Sequence, residues 1–162
     1  MRKFPILTII ALAFFATACQ TIPDYPVQPY ISYGSAYFKE LPQTDYIYLS
    51  INFKDGDGDL GLNSEDIALL DSADLYNIFP VLFRKVGDKY EEFKIVSYSG
   101  RFPRLRESAQ SGPIEGTLQY KLGSLNFFNE DSSIVKIRVS IRDRAGHVSN
   151  TIETAPFPVV YK

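Results

Sequence analysis

Residues 46–53 read YIYLSINF, and the aliphatic side chains and Phe53 fall on every second position. Side chains at i and i+2 lie on the same face of a β-strand, so this alternation predicts a strand with one face in a core. The stretch KIRVSIR at 136–142 alternates in the same way, and TLQYKL at 117–122 does so too. A period of two residues is therefore the dominant pattern of this chain.

The segments around these stretches complete the prediction of the fold. Two further runs, 78–86 and 89–98, are rich in β-forming residues, and the dipeptide between them, Gly87-Asp88, suits a two-residue hairpin. A first strand is expected around 31–38 and a last one around 149–160. About seven short strands on one core predict an all-β fold, a single antiparallel β-sandwich of the immunoglobulin-like kind.

One short helix is the exception to this β pattern. Residues 64–70 have helical character, and Ser64 is a suitable N-cap for them. No longer helical pattern competes with the strands.

The start of the chain has the features of an export signal. Two basic residues precede an apolar run at 4–15, the small residues Ala-Thr-Ala occupy 16–18, and the one cysteine of the chain, Cys19, follows directly. The run is too short to span a membrane, and its end resembles a bacterial lipobox. We therefore expect residues 1–18 to be removed and Cys19 to be lipidated, with a palmitate-type acyl chain as a membrane anchor. The alternative is an ordinary secretory signal followed by a chance cysteine.

The segment after Cys19 is predicted to be a tether. Prolines at 23, 26 and 29 recur with the three-residue period of polyproline II, which is semi-rigid. We expect residues 19–29 to be a proline-rich spacer between the lipid and a folded domain at 30–162.

Composition limits the function of the mature chain. Removing residues 1–18 leaves 15 basic and 19 acidic residues, a net charge of −4, and this acidity argues against a nucleic-acid partner. With the sole cysteine used for lipid, no disulfide is available to stabilise the domain. Burial, and a metal ion if one binds, must stabilise it instead.

The stretch DGDGDLG at 55–61 is the strongest chemical signal. The spacing of Asp55, Asp57 and Asp59 allows their carboxylates to converge. Ca²⁺, a hard cation that prefers oxygen ligands, would relieve the mutual repulsion of these carboxylates. The stretch is not an EF-hand, because a strand precedes it and Leu60 occupies the glycine position. Asp66 falls at the twelfth position and is a candidate fourth ligand. The alternative is a solvated acidic turn.

A second polar stretch, DRAGHVSN at 143–150, follows the strand that ends near Arg142. A hairpin turn with Gly146 at positive φ is the favoured interpretation. Asp143 joins the calcium site if both loops lie at the same end of the sandwich.

These two stretches and the lipobox together resemble a group of small immunoglobulin-like lipoproteins of Gram-negative bacterial surfaces. The resemblance implies a calcium-stabilised module for binding or scaffolding, anchored to the outer membrane on its periplasmic or surface face. It implies an unidentified envelope protein or glycan as partner. The sequence supports no catalytic motif, and we expect no enzyme activity.

Two other features suggest an alternative function as an accessory glycan-binding lipoprotein. Tyrosines crowd the early part of the chain and suit a sugar platform, although ordinary strand positions explain them as well. Arg101, Arg104 and Arg106 form a basic stretch that suits phosphate or carboxylate groups, and a solvated loop is the favoured interpretation.

Overall fold

The structure is a computed structural model and describes residues 22–41, 45–71, 74–106, 111–123 and 132–160. The predicted signal peptide and Cys19 lie outside these residues. Within them the chain forms eight strands and one short helix. In chain order these are β1 (Tyr30–Lys39), β2 (Tyr46–Asp55), α1 (Ser64–Leu69), β3 (Ile78–Val86), β4 (Lys89–Glu92), β5 (Ile114–Gly123), β6 (Ser132–Ile141), β7 (Ile152–Glu153) and β8 (Phe157–Val160).

The strands form two sheets. Sheet A has the order β1-β2-β5, and sheet B has the order β4-β3-β6-β7, with β8 also paired to β6. Every strand pairing in the described residues is antiparallel. The prediction of an all-β antiparallel sandwich is confirmed, and the finer immunoglobulin-like assignment stays a prediction.

The core lies between the two sheets and is built from the alternating positions. In β2 and β6 every second side chain is buried, and the residues between them face outward. Ile51 and Ile137, one from each sheet, have no exposed surface at all. The alternation in the sequence therefore gives the correct strand phase.

Two strands differ from the prediction. The Gly87-Asp88 turn joins β3 to β4 as expected, with Val86 opposite Lys89, but β4 ends at Glu92 instead of continuing to 98. The predicted last strand is divided into β7 and β8, which lie along the same edge of β6. Thr154 lies between them, and its hydroxyl accepts a hydrogen bond from the Ile137 amide, which interrupts the regular ladder.

The N-cap of helix α1 lies one residue earlier in the chain than predicted. Asn63, not Ser64, is the N-cap: its side chain accepts a hydrogen bond from the Asp66 amide, and the Asp66 carboxylate accepts one from the Asn63 amide. An asparagine with an acidic residue three positions later forms this reciprocal pair. The helix ends at Leu69.

The predicted boundary between tether and domain at residue 30 stays a prediction, and the residues just before it contact the sandwich. Residues 25–29, called the strap below, already pack on the sandwich. Pro29 is buried, the carbonyl of Pro26 accepts a hydrogen bond from the Gly56 amide, and the Gln28 side chain donates to the carbonyl of Val148. The last five residues of the predicted spacer therefore contact the sandwich.

Candidate metal centre

A cluster of carboxylates lies at one end of the sandwich, where two loops meet. The acidic loop (residues 55–61) leaves β2 of sheet A, and the second loop (residues 143–150) follows β6 of sheet B. Asp55, the last residue of β2, has no exposed surface, and Asp143 is buried as well. One ligand atom from each of Asp55, Asp59 and Asp143 lies within 4.8 Å of the others.

Glycines give the acidic loop the path that this convergence needs. Gly58 and Gly61 have φ of 72° and 91°, values that favour glycine. A Cβ at Gly61 would lie 2.1 Å from the carbonyl oxygen of Pro103, so the close approach to that segment also requires glycine. Leu60 between them is fully buried in the core and holds the loop against the sandwich.

Four carboxylate oxygens of the acidic loop are buried without a hydrogen-bond partner among the described residues. They are both oxygens of Asp55 and one each of Asp57 and Asp59. Buried polar atoms are nearly always paired, and an unpaired buried charge is strongly unfavourable. These unpaired oxygens are therefore available to bind a cation or water.

The pKa values of the clustered aspartates also reflect their burial and their mutual repulsion. Burial, followed by the charges of Asp57, Asp59 and Asp143, raises the pKa of Asp55 to about 7. The Asp59 amide opposes that rise in pKa, but it makes no hydrogen bond of good geometry to either oxygen. Burial also raises the pKa of Asp59, with Asp143 and then Asp57 adding to it. Without a cation, the cluster thus disfavours full ionisation.

The second loop forms the predicted turn and also brings Asp143 to the cluster. Gly146 has φ of 94°, and its amide donates to the Asp143 carbonyl. The Asp143 carboxylate accepts hydrogen bonds from the His147 amide at 2.7 Å and pairs with the His147 ring at 2.9 Å. That pairing raises the pKa of His147. The histidine thus orients Asp143 from the outside.

The two loops are also joined directly. The Ala145 amide donates to the second oxygen of Asp59 at 3.0 Å, and the Arg144 guanidinium donates to the carbonyl of Gly61 at 3.0 Å. These contacts keep Asp59 and Asp143 close together although they come from different loops.

Asp66, the candidate fourth ligand, lies outside this group. Its carboxylate accepts two hydrogen bonds from the Arg104 guanidinium and one from the Asn63 amide. The Arg104 hydrogen bond is the main cause that lowers the pKa of Asp66. The carboxylate that the spacing assigned to the metal is used instead to cap α1 and hold the segment after Phe102. Asp143, which the sequence also offered as a possible ligand, lies in the cluster with Asp55 and Asp59, and the assignment of Asp66 as a ligand stays a prediction.

The structure does not bring the three arginines of the basic stretch together as a binding surface. Arg104 is paired with Asp66, and Arg106 donates to the carbonyls of Gly112 and Pro113. Arg101 is exposed. Two of the three therefore hold the fold around the acidic loop.

The donor set fits a hard divalent cation. Four aspartates offer carboxylate oxygens, which Ca²⁺ binds in numbers of six to eight with flexible geometry. Asp55, Asp59 and Asp143, which form the group within 4.8 Å, would hold such an ion. Asp57 lies outside that group of three and has one buried oxygen without a hydrogen-bond partner among the described residues. In addition to these oxygens, backbone carbonyls and water are ordinary calcium ligands.

Comparison with protein-family models, curated proteins and solved structures finds no match for this chain. Within the described residues, no helix has both the length and the apolar character needed to span a membrane.

Proposed function

We propose that the protein is a calcium-stabilised β-sandwich module of the bacterial cell envelope, anchored through lipidated Cys19, that binds or scaffolds a partner without catalysis. One observation carries the calcium part of this proposal: four carboxylate oxygens of the acidic loop are buried and unpaired among the described residues. A solvated acidic turn, the alternative, would expose these oxygens to water.

Calcium is favoured over other metals by the ligand types. The cluster offers oxygen donors, whereas Zn²⁺ sites use mainly sulfur and nitrogen. His147, the single histidine of the chain, is bonded to Asp143 from outside the cluster. Mg²⁺ demands near-ideal octahedral geometry and keeps several waters, which suits a buried set of converging carboxylates less well.

A structural role for the ion follows from where its ligands originate. Asp55 ends a strand of sheet A, and Asp143 follows a strand of sheet B. An ion between them would join the two sheets at one end of the sandwich. In a chain without a disulfide, this link replaces a covalent one.

Calcium titration by calorimetry on the full chain tests the proposal. We expect about one ion per chain with a Kd of roughly 10⁻⁴–10⁻³ M, the range of extracellular modules. Asp55→Asn should abolish the binding, because it removes a buried charge at nearly constant shape. Asp88→Asn, a matched change in the exposed β3–β4 turn, should leave the binding as it is. Equal binding by both variants would contradict the assignment.

The anchor part of the proposal is tested separately. Mass spectrometry of the protein from membranes should find an N-terminal acylated Cys19, and Cys19→Ser should move the protein to the aqueous phase of a detergent extraction. Recovery of that variant with membranes, after its signal has been cut, would overturn the anchor.

A glycan-binding role is a second candidate, favoured by one feature of sheet A. Tyr37 and Tyr48 stack with ring centroids 5.3 Å apart, and the Lys121 ammonium lies 4.7 Å from the Tyr46 ring. These side chains share the outer face of the sheet. Two of the three arginines expected to assist them, Arg104 and Arg106, are held by other groups, so this candidate depends mainly on the tyrosines. It predicts that Tyr37→Ala weakens retention on envelope polysaccharide and leaves the melting temperature unchanged.

A further inference from the structure

The strap, residues 25–29, contacts the acidic loop at a position between two of the candidate ligands. The Gly56 amide, between Asp55 and Asp57, donates to the Pro26 carbonyl at 2.9 Å. A Cβ on Gly56 would lie 2.2 Å from the Tyr25 carbonyl oxygen, so the two backbones touch. A methyl group has no room at this point without displacing the strap.

Side chains of the strap extend this contact to the neighbouring strands and to the second loop. The Tyr25 hydroxyl donates to Glu115 at 2.7 Å, and the Lys54 ammonium lies 5.0 Å from the Tyr25 ring centroid. The Gln28 side chain donates to the carbonyl of Val148 at 2.7 Å. The strap therefore bridges the acidic loop and the second loop, the two segments that supply the carboxylates.

From these contacts we propose that calcium controls whether the strap is docked on the sandwich. This inference rests on the calcium site proposed above. With the ion bound, both loops keep the spacing that the strap spans. Without it, the carboxylates repel one another, the loops separate, and the strap loses the Gly56 and Val148 contacts together.

Release of the strap would change the reach of the domain from the membrane. Five residues of proline-containing spacer extend by ~3.1 Å each, so undocking adds about 15 Å to the tether. Calcium would thus set the distance between the lipid and the sandwich.

Thermodynamic linkage makes the inference testable through calcium affinity. If calcium favours the docked strap, the docked strap must favour calcium by the same factor. Gly56→Ala should displace the strap and weaken calcium affinity about tenfold, since it removes contacts worth on the order of a hydrogen bond or two while keeping every carboxylate. Gln28→Ala, which changes the strap at its other end, should weaken affinity about threefold.

The double variant, Gly56→Ala with Gln28→Ala, distinguishes displacement of the strap from a local distortion of the acidic loop. Once Gly56→Ala has displaced the strap, Gln28→Ala should have no further effect on affinity. Tyr25→Ala provides the same cycle with Gln28→Ala if Gly56→Ala does not fold. Gly123→Ala is the matched control, because it adds a methyl at the opposite end of sheet A, where the nearest atoms belong to the Tyr46 ring. It should leave calcium affinity unchanged.

Two results would overturn the inference while leaving the calcium site in place. One is a calcium affinity that Gln28→Ala leaves unchanged. The other is a loss of calcium affinity from Gln28→Ala that is equally large in the wild-type chain and in the Gly56→Ala variant. An absence of calcium binding in the wild-type chain would overturn the calcium site and the strap inference together. Backbone amide relaxation provides the direct check: calcium should rigidify Tyr25, Val27 and Gln28 in the Cys19→Ser chain, and equal mobility with and without calcium would contradict the proposal.

Discussion

Asp55 is the residue at which the electrostatic cost of this fold concentrates. Its side chain has no exposed surface, both of its oxygens lack a hydrogen-bond partner among the described residues, and its pKa is raised to about 7. A rise from the ordinary 3.8 corresponds to a cost on the order of 4 kcal/mol for keeping the ionised form in the fold at neutral pH. That cost is large beside a typical free energy of unfolding of 5–15 kcal/mol.

This cost predicts the pH dependence of the calcium-free protein. An aspartate with a raised folded-state pKa stabilises the fold fully below pH 3.8, and this contribution is lost as the pH rises through about 7. The pKa of Asp59 is raised in the same direction, and the pKa of His147 is also raised, so its stabilisation is likewise lost at higher pH. We expect the calcium-free chain to melt at a lower temperature at pH 8 than at pH 5.

Calcium should reverse most of that loss, because it stabilises the ionised carboxylates. Melting curves in calcium-free buffer and in millimolar calcium, at pH 5 and at pH 8, provide the measurement. The increase on adding calcium should be larger at pH 8. A calcium-free chain that is more stable at pH 8 than at pH 5 would contradict the assignment of the cost to Asp55.

Among the elements, helix α1 holds the carboxylate of Asp66, which spacing proposes as a metal ligand, in contacts of its own. Asp66 caps the helix and pairs with Arg104. Asp66→Ala should lower the free energy of unfolding by about 2 kcal/mol, through loss of the capping contact and of charged hydrogen bonds. Calcium affinity should not change. Glu65→Ala, at the exposed neighbouring position, should have little effect on either quantity. A large loss of calcium affinity in Asp66→Ala would return Asp66 to the ligand set.

The strands allow a direct test of which face is buried. Ile137 has no exposed surface in β6, whereas Ile134 on the same strand is 39% exposed. Ile137→Asp should prevent folding, because an unpaired charge in the core costs several kcal/mol. Ile134→Asp should fold with a similar melting temperature. Circular dichroism of both variants provides the measurement, and equal melting of the two would contradict the strand phase.

The whole molecule shows what a single sequence can and cannot specify. The strands follow from local alternation, because burial on one face of a strand is a period-two property. The end of β4 and the division of the last strand depend on contacts with Leu82 and Ile137 across sheet B, which no local pattern contains. The sequence therefore predicts the elements better than their ends.

The same distinction applies to the site. Spacing proposes Asp55, Asp57 and Asp59 as ligands, because glycine-separated aspartates form a local pattern, and the structure brings Asp55 and Asp59 together. Asp143 is 84 residues or more from them, and its position depends on two loops meeting at one end of the sandwich. The stretch DRAGHVSN was compatible with both a turn and a metal role, and the structure shows that the turn is what presents Asp143 to the cluster.

The packing of the strap could not be predicted either. Proline periodicity indicates an extended spacer, whereas the backbone of the strap bends at Val27 and Gln28. What the pattern does not contain is the absence of a side chain at Gly56, which lets the spacer lie against the acidic loop. A local pattern thus leaves both the bend of this segment and its contacts open.

If a calcium ion bound by the carboxylate cluster holds the folded state, thermal melting of the full chain reveals it most directly. Ten-millimolar calcium against a Kd of roughly 10⁻⁴–10⁻³ M adds about 1.4–2.7 kcal/mol. For a domain of this size that corresponds to a rise in Tm of roughly 5–10 °C, which excess chelator should reverse. Equal melting temperatures in calcium and in chelator, at matched ionic strength and pH 8, would contradict the claim.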